Sequence, residues 1–379
     1  LMTVEPDGLT VGVSGALGFA FRIAGIDYLL FDEDRKTSFF RTLSRCFNQL
    51  PEEMTLSFLR RKSKERITAS AFVKSQDELS RGMIDSKVTA LKNQRVVRSG
   101  LFLFVSLETD PKSKRVSLEK ENALRDAELL LKRFLEPLGI KVERMMRREV
   151  LWEYVTKLNP SLSRLLQYED VFHEGPIETP RFETLRSRVL LNSPRVEDES
   201  IYLDGFYHEA VNLRLLPGEV WEGMTKAFEA SLPDDSEWVL RIEKPDQEKE
   251  SSRMRLKANL AHANSFLKVS QDHAAQEKAR QYERFLEEAA SEGESIFEIS
   301  ISVLLKDESG EELKKKRDEA LKAFSKLGGA VGVWDHFEHD LLFLSHLPLQ
   351  AKMNPIRFPV LTNSLTRLLP LLSEWRGPE

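Results

Sequence analysis

The sequence predicts an α+β fold made of two duplicated units, each a largely antiparallel sheet with helices packed on it. Short apolar runs of strand length alternate with longer amphipathic stretches, and the same order of elements occurs twice. A proline-rich segment without a clean period separates the two occurrences. We therefore expect a first unit over residues 1–175, a connection over 176–199, a second unit over 200–350 and a tail over 351–379.

The first unit opens with a strand pair and continues through alternating helices and strands. Leu101–Leu107 is an apolar run interrupted only by Ser106, which is typical of a buried strand. Apolar residues recur at helical spacing in Asp32–Leu50 and in Leu118–Leu135, and prolines follow both stretches. In chain order we predict strands Leu9–Ser14 and Gly18–Ile23, helix Asp32–Leu50, strand Met54–Leu59, a charged helical stretch Gln76–Arg95, strand Leu101–Leu107, helix Leu118–Leu135, a short segment Ile140–Arg144 and helix Arg147–Leu158.

The second unit repeats this order. Ser295–Leu305 is long and rich in β-branched residues, which favours a strand. Gly328 and Gly329 close a helix that begins near Glu311. In chain order we predict strands Ser200–Phe206 and His208–Leu215, a helix from Pro217 through Phe228, strand Glu237–Ile242, a charged stretch Gln247–Ala290 folded into more than one helix, strand Ser295–Leu305, helix Glu311–Leu327 and a last strand pair Ala330–Phe337 and Leu341–Leu344.

Composition and charge exclude several classes of protein. The chain has 379 residues, of which 41% are hydrophobic, so it can bury a core and wholesale disorder is excluded. Because 56 Lys and Arg stand against 61 Asp and Glu, a chain-wide basic surface for nucleic acid is excluded. The single cysteine, Cys46, has no internal disulfide partner and fits a reducing compartment. The early apolar run Leu9–Phe21 is too short to span a membrane, and we expect a cytosolic chain.

Motifs for nucleotide or acyl chemistry are incomplete. The string G-x-x-x-x-G-K-[ST], whose amides and lysine surround phosphates, does not occur in the sequence. Tyr28–Glu33 imitates the apolar strand and acidic pair that hold magnesium in ATPases, but we interpret it as a strand running into a helix cap. Gly12–Ala16 differs by one residue from a nucleophile elbow and predicts a glycine-rich turn. We predict no catalytic, cofactor-binding or metal-binding residue and no enzyme activity.

Two groups of residues keep alternatives open. The string Asp335–Asp340 includes His336, Glu338 and His339, with His346 beyond it. Because strand residues alternate between faces, His336 and His339 would point apart, and a polar hairpin turn explains the string better than a metal-dependent enzyme does.

The second group is three basic clusters, each flanked by acidic residues. We interpret the clusters as solvated faces, and a nucleic-acid-contacting module is the alternative that they leave open. The clusters are Arg60–Lys64, Arg144 with Arg147 and Arg148, and Lys314–Arg317.

A set of landmarks in order along nearly the full chain resembles a known family. The chain is similar to the N-terminal region of the TraC/TrbE/CagE conjugation ATPases, the large cytoplasmic ATPases of type IV secretion systems. The tail is the most specific part of the resemblance. The landmarks are the Asp7–Gly8 strand pair, Leu151–Tyr154 running into Leu158–Pro160, Tyr207–Pro217, Glu294–Val303, Leu347–Pro348, Thr362–Thr366, Leu368–Pro370 and Glu374–Gly377.

The resemblance implies a non-catalytic docking and oligomerisation module. It implies that the RecA-like ATPase domain, with its ATP and magnesium, would follow Glu379, so no catalytic residue is carried over to this chain. The implied partners are inner-membrane components of the secretion complex and further copies in a hexamer-forming ATPase. The implied location is the cytoplasmic face of the bacterial inner membrane, and the implied process is pilus assembly and DNA transfer.

Overall fold

The computed structural model describes residues 3–12, 16–27, 31–66, 95–108, 118–172, 185–267, 273–334 and 338–372. In these ranges a single sheet contains the strands β1 Thr3–Val4, β2 Thr10–Val11, β3 Leu17–Ile23, β4 Met54–Arg66, β5 Arg95–Leu107, β6 Val142–Arg144, β7 Arg195–Val196, β8 Ile201–Leu203, β9 Phe206–Leu215, β10 Ser236–Glu243, β11 Ile296–Asp307, β12 Val331–Trp334 and β13 Phe358–Leu361. The helices are α1 Glu33–Asn48, α2 Leu118–Leu135, α3 Arg147–Leu158, α4 Tyr168–Val171, α5 Leu185–Val189, α6 Met224–Ser231, α7 Gln247–Leu267, α8 His273–Glu292, α9 Gly310–Ala323, α10 His339–Ser345 and α11 Thr362–Leu368.

The predicted α+β class, with a large antiparallel sheet and helices on it, is confirmed. Neighbouring strands run in the order β1-β2-β3-β5-β4-β10-β11-β9-β8-β7, with β6 on β3, β12 on β9 and β13 on β11. All of these pairings are antiparallel. Each half contains a β-α-β-β-α-β series, namely β3-α1-β4-β5-α2-β6 and β9-α6-β10-β11-α9-β12. The topology is the same in both halves, while their origin by duplication stays a prediction.

The two halves meet where β4 pairs with β10 along the centre of the sheet. Phe58 lies opposite Leu240, and Leu59 lies opposite Val239. Because successive strand residues point to opposite faces, Phe58 and Leu240 contribute to one core and Leu59 and Val239 to another. We call the first side face A, on which α1, α2, α6, α9 and α11 pack, and the second face B, on which α3, α4, α5 and α10 pack.

Long insertions leave the sheet at opposite ends. In the first half, β4 continues past Lys62, the last residue facing β10, and pairs with β5 as far as Arg66. In the second half, α7 and α8 fill the connection between β10 and β11, as predicted for Gln247–Ala290. Since β4 and β10 are antiparallel, the β4–β5 extension and the α7–α8 pair leave opposite ends of the central strands. Most of the predicted stretch Gln76–Arg95 lies outside the described residues.

The segment that follows the second half crosses back to the first half. Strand β13 pairs with β11, and α11 places Leu365 and Leu368 in the face A core. Beyond the helix, the amide nitrogen of Ile26 donates a hydrogen bond to the carbonyl of Leu371 at 2.9 Å. Leu372 also forms a parallel bridge with Ile26. The segment from β13 to Leu372 therefore holds both halves, and we call it the C-terminal strap.

Two predicted elements were wrong. Leu341–Leu344 lies in helix α10 and not in a strand, because a short apolar run fits either structure and the acidic residues before it favour a helix start. The second-half helix begins at Met224 and not at Pro217. In contrast, the predicted strand pair is confirmed as the hairpin of β8 and β9, although its tight turn is formed by Asp204 and Gly205, with φ of 51° and 87°, and Phe206 begins the second strand.

We expect Leu240→Ala to lower the free energy of unfolding by about 2–5 kcal/mol, because its side chain is fully buried between β4 and β11. Leu256→Ala is the matched control, since this α7 side chain is 59% exposed and should change stability by less than about 0.5 kcal/mol. Urea unfolding measures both variants. Equal effects in the two variants would show that the β4–β10 junction is not a packed core.

Candidate functional site

A cavity of about 290 Å³ lies on face B beside the β4–β10 junction. Its floor consists of strand residues from β4, β9, β10 and β11, and its wall comes from the end of α3 and the turn Leu162–Arg164. The cavity therefore draws side chains from both halves of the chain. Its charged and polar lining residues are Arg61, Lys62, Ser63, Thr156, Lys157, Ser163, Arg164, His208, Asp235, Ser236, Glu237 and Lys306.

One edge of the cavity is formed by a buried carboxylate with three basic partners. Glu237 is 6% exposed, and its carboxylate lies 2.6 Å from Lys157 Nζ. Arg61 Nε donates to it at 3.1 Å, and His346 Nδ1 lies 3.2 Å away. We call these four residues the Glu237 cluster. It joins β4 and α3 of the first half to β10 and the end of α10 in the second.

Burial and ion pairing have opposite effects on the pKa values of the Glu237 cluster. Burial raises the pKa of Glu237, but Lys157, His346 and Arg61 together bring that pKa below its ordinary value. Burial lowers the pKa of Lys157 and that of His346, and Glu237 only partly offsets this effect. For Arg61, Glu153 and Glu237 outweigh burial and raise the pKa. The carboxylate consequently stays ionised in the interior.

The basic cluster Arg60–Lys64 is not the solvated face that its sequence suggested. Arg60 is 4% exposed, points to face A and donates from Nε to both carboxylate oxygens of Glu229, at 2.8 and 2.9 Å. Arg61 points to face B, where its Nη2 donates to Glu153 at 2.8 Å. Consecutive arginines on a strand thus stabilise opposite faces of the sheet. No local signal in the sequence distinguishes this arrangement from an exposed cluster.

The other basic clusters are also paired with carboxylates of the fold. Arg144 lies 3.0 Å from both Glu128 and Asp7, and its guanidinium covers the ring of Phe19. In the third cluster the four cations have different partners. These pairs are Lys314 with Glu199, Lys315 with Glu312, Lys316 with Asp307, and Arg317 with Glu209. Because most of these cations have carboxylate partners, Arg148 with Glu169 among them, the clusters give little support to nucleic-acid binding.

The histidines of the metal alternative do not come together in the part that the structure describes. His339 is buried at the start of α10, while His346 belongs to the Glu237 cluster and lies 2.9 Å from Ser302 Oγ. His336 lies outside the described residues. Within the described ranges, no group of three His, Cys, Asp or Glu side chains is arranged to hold a metal ion.

The remaining sequence motifs have structural explanations where they are described. Asp32 caps α1, accepting a hydrogen bond from the amide of Arg35 at 2.8 Å, which confirms the predicted helix cap, while residues 28–30 of the predicted strand lie outside the described residues. Cys46 is buried in α1, and burial raises the pKa of its thiol to about 12. Ser14 of the incomplete nucleophile elbow lies outside the described residues.

Comparison with known proteins does not assign the chain to a family. No protein-family model and no curated protein sequence matches it. Among the residues that the structure describes, no helix has the length and apolar character needed to cross a bilayer.

We expect Glu237→Gln to lower the free energy of unfolding by about 3 kcal/mol or more, because it leaves Lys157 buried without its counter-ion. Glu312→Gln removes an exposed partner of Lys315 and should cost less than about 1 kcal/mol. Chemical denaturation compares the two variants. If both lose the same stability, the Glu237 cluster does not hold the halves together.

We expect stability to depend on pH through His208. Burial, then the charge of Lys306, lowers the pKa of His208 from 6.5 to about 4, against the weaker effect of the Ile201 and Phe206 carbonyls. Between these values the unfolded chain binds a proton that the folded chain does not, so stability falls as the pH falls, by about 3 kcal/mol over the window.

His208→Gln should therefore flatten the stability curve between pH 6.5 and 4. The matched control is His262→Gln, because the His262 side chain on α7 is 40% exposed and lies 2.9 Å from Glu283. Thermal unfolding across this pH range measures both variants. A curve for His208→Gln as steep as that of the control would contradict the assignment.

Proposed function

We propose that the chain is a docking and coupling module of a type IV secretion ATPase of the TraC/TrbE/CagE kind. In this role it contacts inner-membrane components of the secretion complex and neighbouring copies of itself, at the cytoplasmic face of the membrane. Nucleotide-driven motion of an attached ATPase domain would pass through it during pilus assembly and DNA transfer. The proposal rests on the sequence landmarks and on one observation of the fold.

That observation is the pair of insertions that leave opposite ends of one continuous sheet. A docking and coupling module needs separate surfaces for different partners and a firm connection between them. The β4–β5 extension and the α7–α8 pair supply two such surfaces. The central strands and the Glu237 cluster supply the connection, because they fix the halves to each other.

The α7–α8 pair carries side chains suited to contact with another protein. Leu256 and Leu260 on α7 are 59% and 55% exposed. They are four residues apart, so they lie on one side of the helix. On another side, Met254 and Ala258 are buried. An exposed apolar stripe on an otherwise charged insertion is the kind of surface that protein partners cover.

The test is recovery of inner-membrane secretion components with the tagged chain in its native cell, carrying Leu256→Lys and Leu260→Lys together. We expect the double variant to lose these components and DNA transfer to fall, because charge on the stripe prevents its burial in an interface. Leu129→Lys, on the exposed side of α2, is the matched control and should retain both.

The identity of the recovered proteins and the behaviour of the control decide the outcome. Recovery of no secretion component by the unmodified chain would overturn the proposed function. Recovery that is equal in the double variant and in the control would overturn the role of the α7–α8 surface.

A further inference from the structure

The cavity on face B is lined by more cationic than anionic groups. Its lining includes five Lys or Arg side chains and two carboxylates. Three of the cations already have carboxylate partners within 3.5 Å. These three pairs are Arg61 with Glu153, Lys62 with Asp234, and Lys157 with Glu237. The other two cations, Arg164 and Lys306, are the ones that can serve a ligand.

Arg164 and Lys306 approach the cavity from different halves. The guanidinium carbon of Arg164 lies 5.3 Å from the ring centre of Phe206, and Lys306 Nζ lies 5.9 Å from the same centre. Arg164 has only a distant contact of 4.0 Å with Glu308. No carboxylate of the described residues lies within ion-pair distance of Lys306. Two cations thus gather around one ring without a close counter-ion.

The surroundings of Lys306 disfavour its charge as the structure stands. Burial lowers the pKa of Lys306, and the neighbouring Arg61 lowers it further, while Asp235 and Glu237 oppose this effect. Arg164 adds a further lowering. An anion in the cavity would reverse this balance, because it would compensate Lys306 and Arg164 together.

His208 adds an independent sign of a ligand. It lines the same cavity, is 3% exposed, and lies opposite Lys306 in the pairing of β9 with β11. Its Nδ1 has no hydrogen-bond partner among the described residues. Buried polar atoms are almost always paired, so this unpartnered ring nitrogen, in a cavity that Arg164 and Lys306 also line, indicates a missing polar ligand.

We propose that this cavity binds a phosphate group of a small ligand through Arg164, Lys306 and His208. Arginine and lysine are the side chains that bind phosphate oxygens most effectively. A volume of about 290 Å³ is at the small end of ligand sites and holds a phosphate or a small phosphomonoester. The bound phosphate would connect the turn Leu162–Arg164 of the first half to β11 of the second. The site does not depend on the proposed docking function.

The test is calorimetric titration of the full chain with inorganic phosphate at constant ionic strength. We expect saturable binding of one phosphate per chain, weakened about tenfold or more by Arg164→Gln and by Lys306→Gln, because each removes a charge-assisted hydrogen bond. Lys315→Gln, on the exposed side of α9, is the matched control and should bind as the unmodified chain does. Arg164 is exposed, so its variant keeps the test valid if Lys306→Gln does not fold.

A second titration with glycerol phosphate distinguishes an organic ligand from free phosphate. Tighter binding of the ester assigns the site to a phosphomonoester, and equal or weaker binding assigns it to free phosphate. No saturable binding of either compound at millimolar concentration would overturn the proposal. Equal weakening by Lys315→Gln would overturn it too, because it would show that general surface charge accounts for the binding.

Discussion

The carboxylate of Glu237 is the constraint on which the arrangement of the two halves depends. An ionised carboxylate is costly to bury, and here the cost is offset only because basic groups from separate elements converge on it. Arg61 comes from β4 and Lys157 from α3, while His346 follows α10. Displacing one half relative to the other would leave this charge unpaired. The Glu237 cluster therefore selects one arrangement of the halves more strictly than apolar packing alone could.

The buried carboxylate of Glu237 also fixes the register in which the central strands β4 and β10 pair. Along β10, Trp238 and Leu240 pack into face A, and Glu237, which immediately precedes Trp238 in sequence, lies on face B. A shift of one residue would turn Glu237 into the apolar core of face A and Leu240 onto face B. The alternation of charged and apolar residues thus fixes how β4 and β10 pair. Helices on both faces then cover most of the central strands, and the low dielectric of this interior strengthens the ionic contacts.

Most of the fold could be predicted because its signals are local. The run Leu101–Leu107 and the helical spacing in Leu118–Leu135 need no distant information. The candidate site could not be found in this way, because Arg61, Lys157 and Glu237 are far apart in sequence and meet only in the folded chain. The only local signal was the charged residue Glu237 at the start of the apolar run Trp238–Leu240. Leu341–Leu344 was wrong because four apolar residues carry no period that separates helix from strand.

The C-terminal strap has a mechanical consequence. The chain leaves the second half at β13, and its last described hydrogen bond is made to Ile26 of the first half. A pull applied at Leu372 would be resisted first by this bond and by the apolar contacts of α11, and not by the linkage between β11 and β13. Because Thr225 of the second half also donates a hydrogen bond to the carbonyl of Leu369, tension would load both halves together. A force applied at Leu372 would be transmitted through Ile26 to β3 without first separating the central strands β4 and β10.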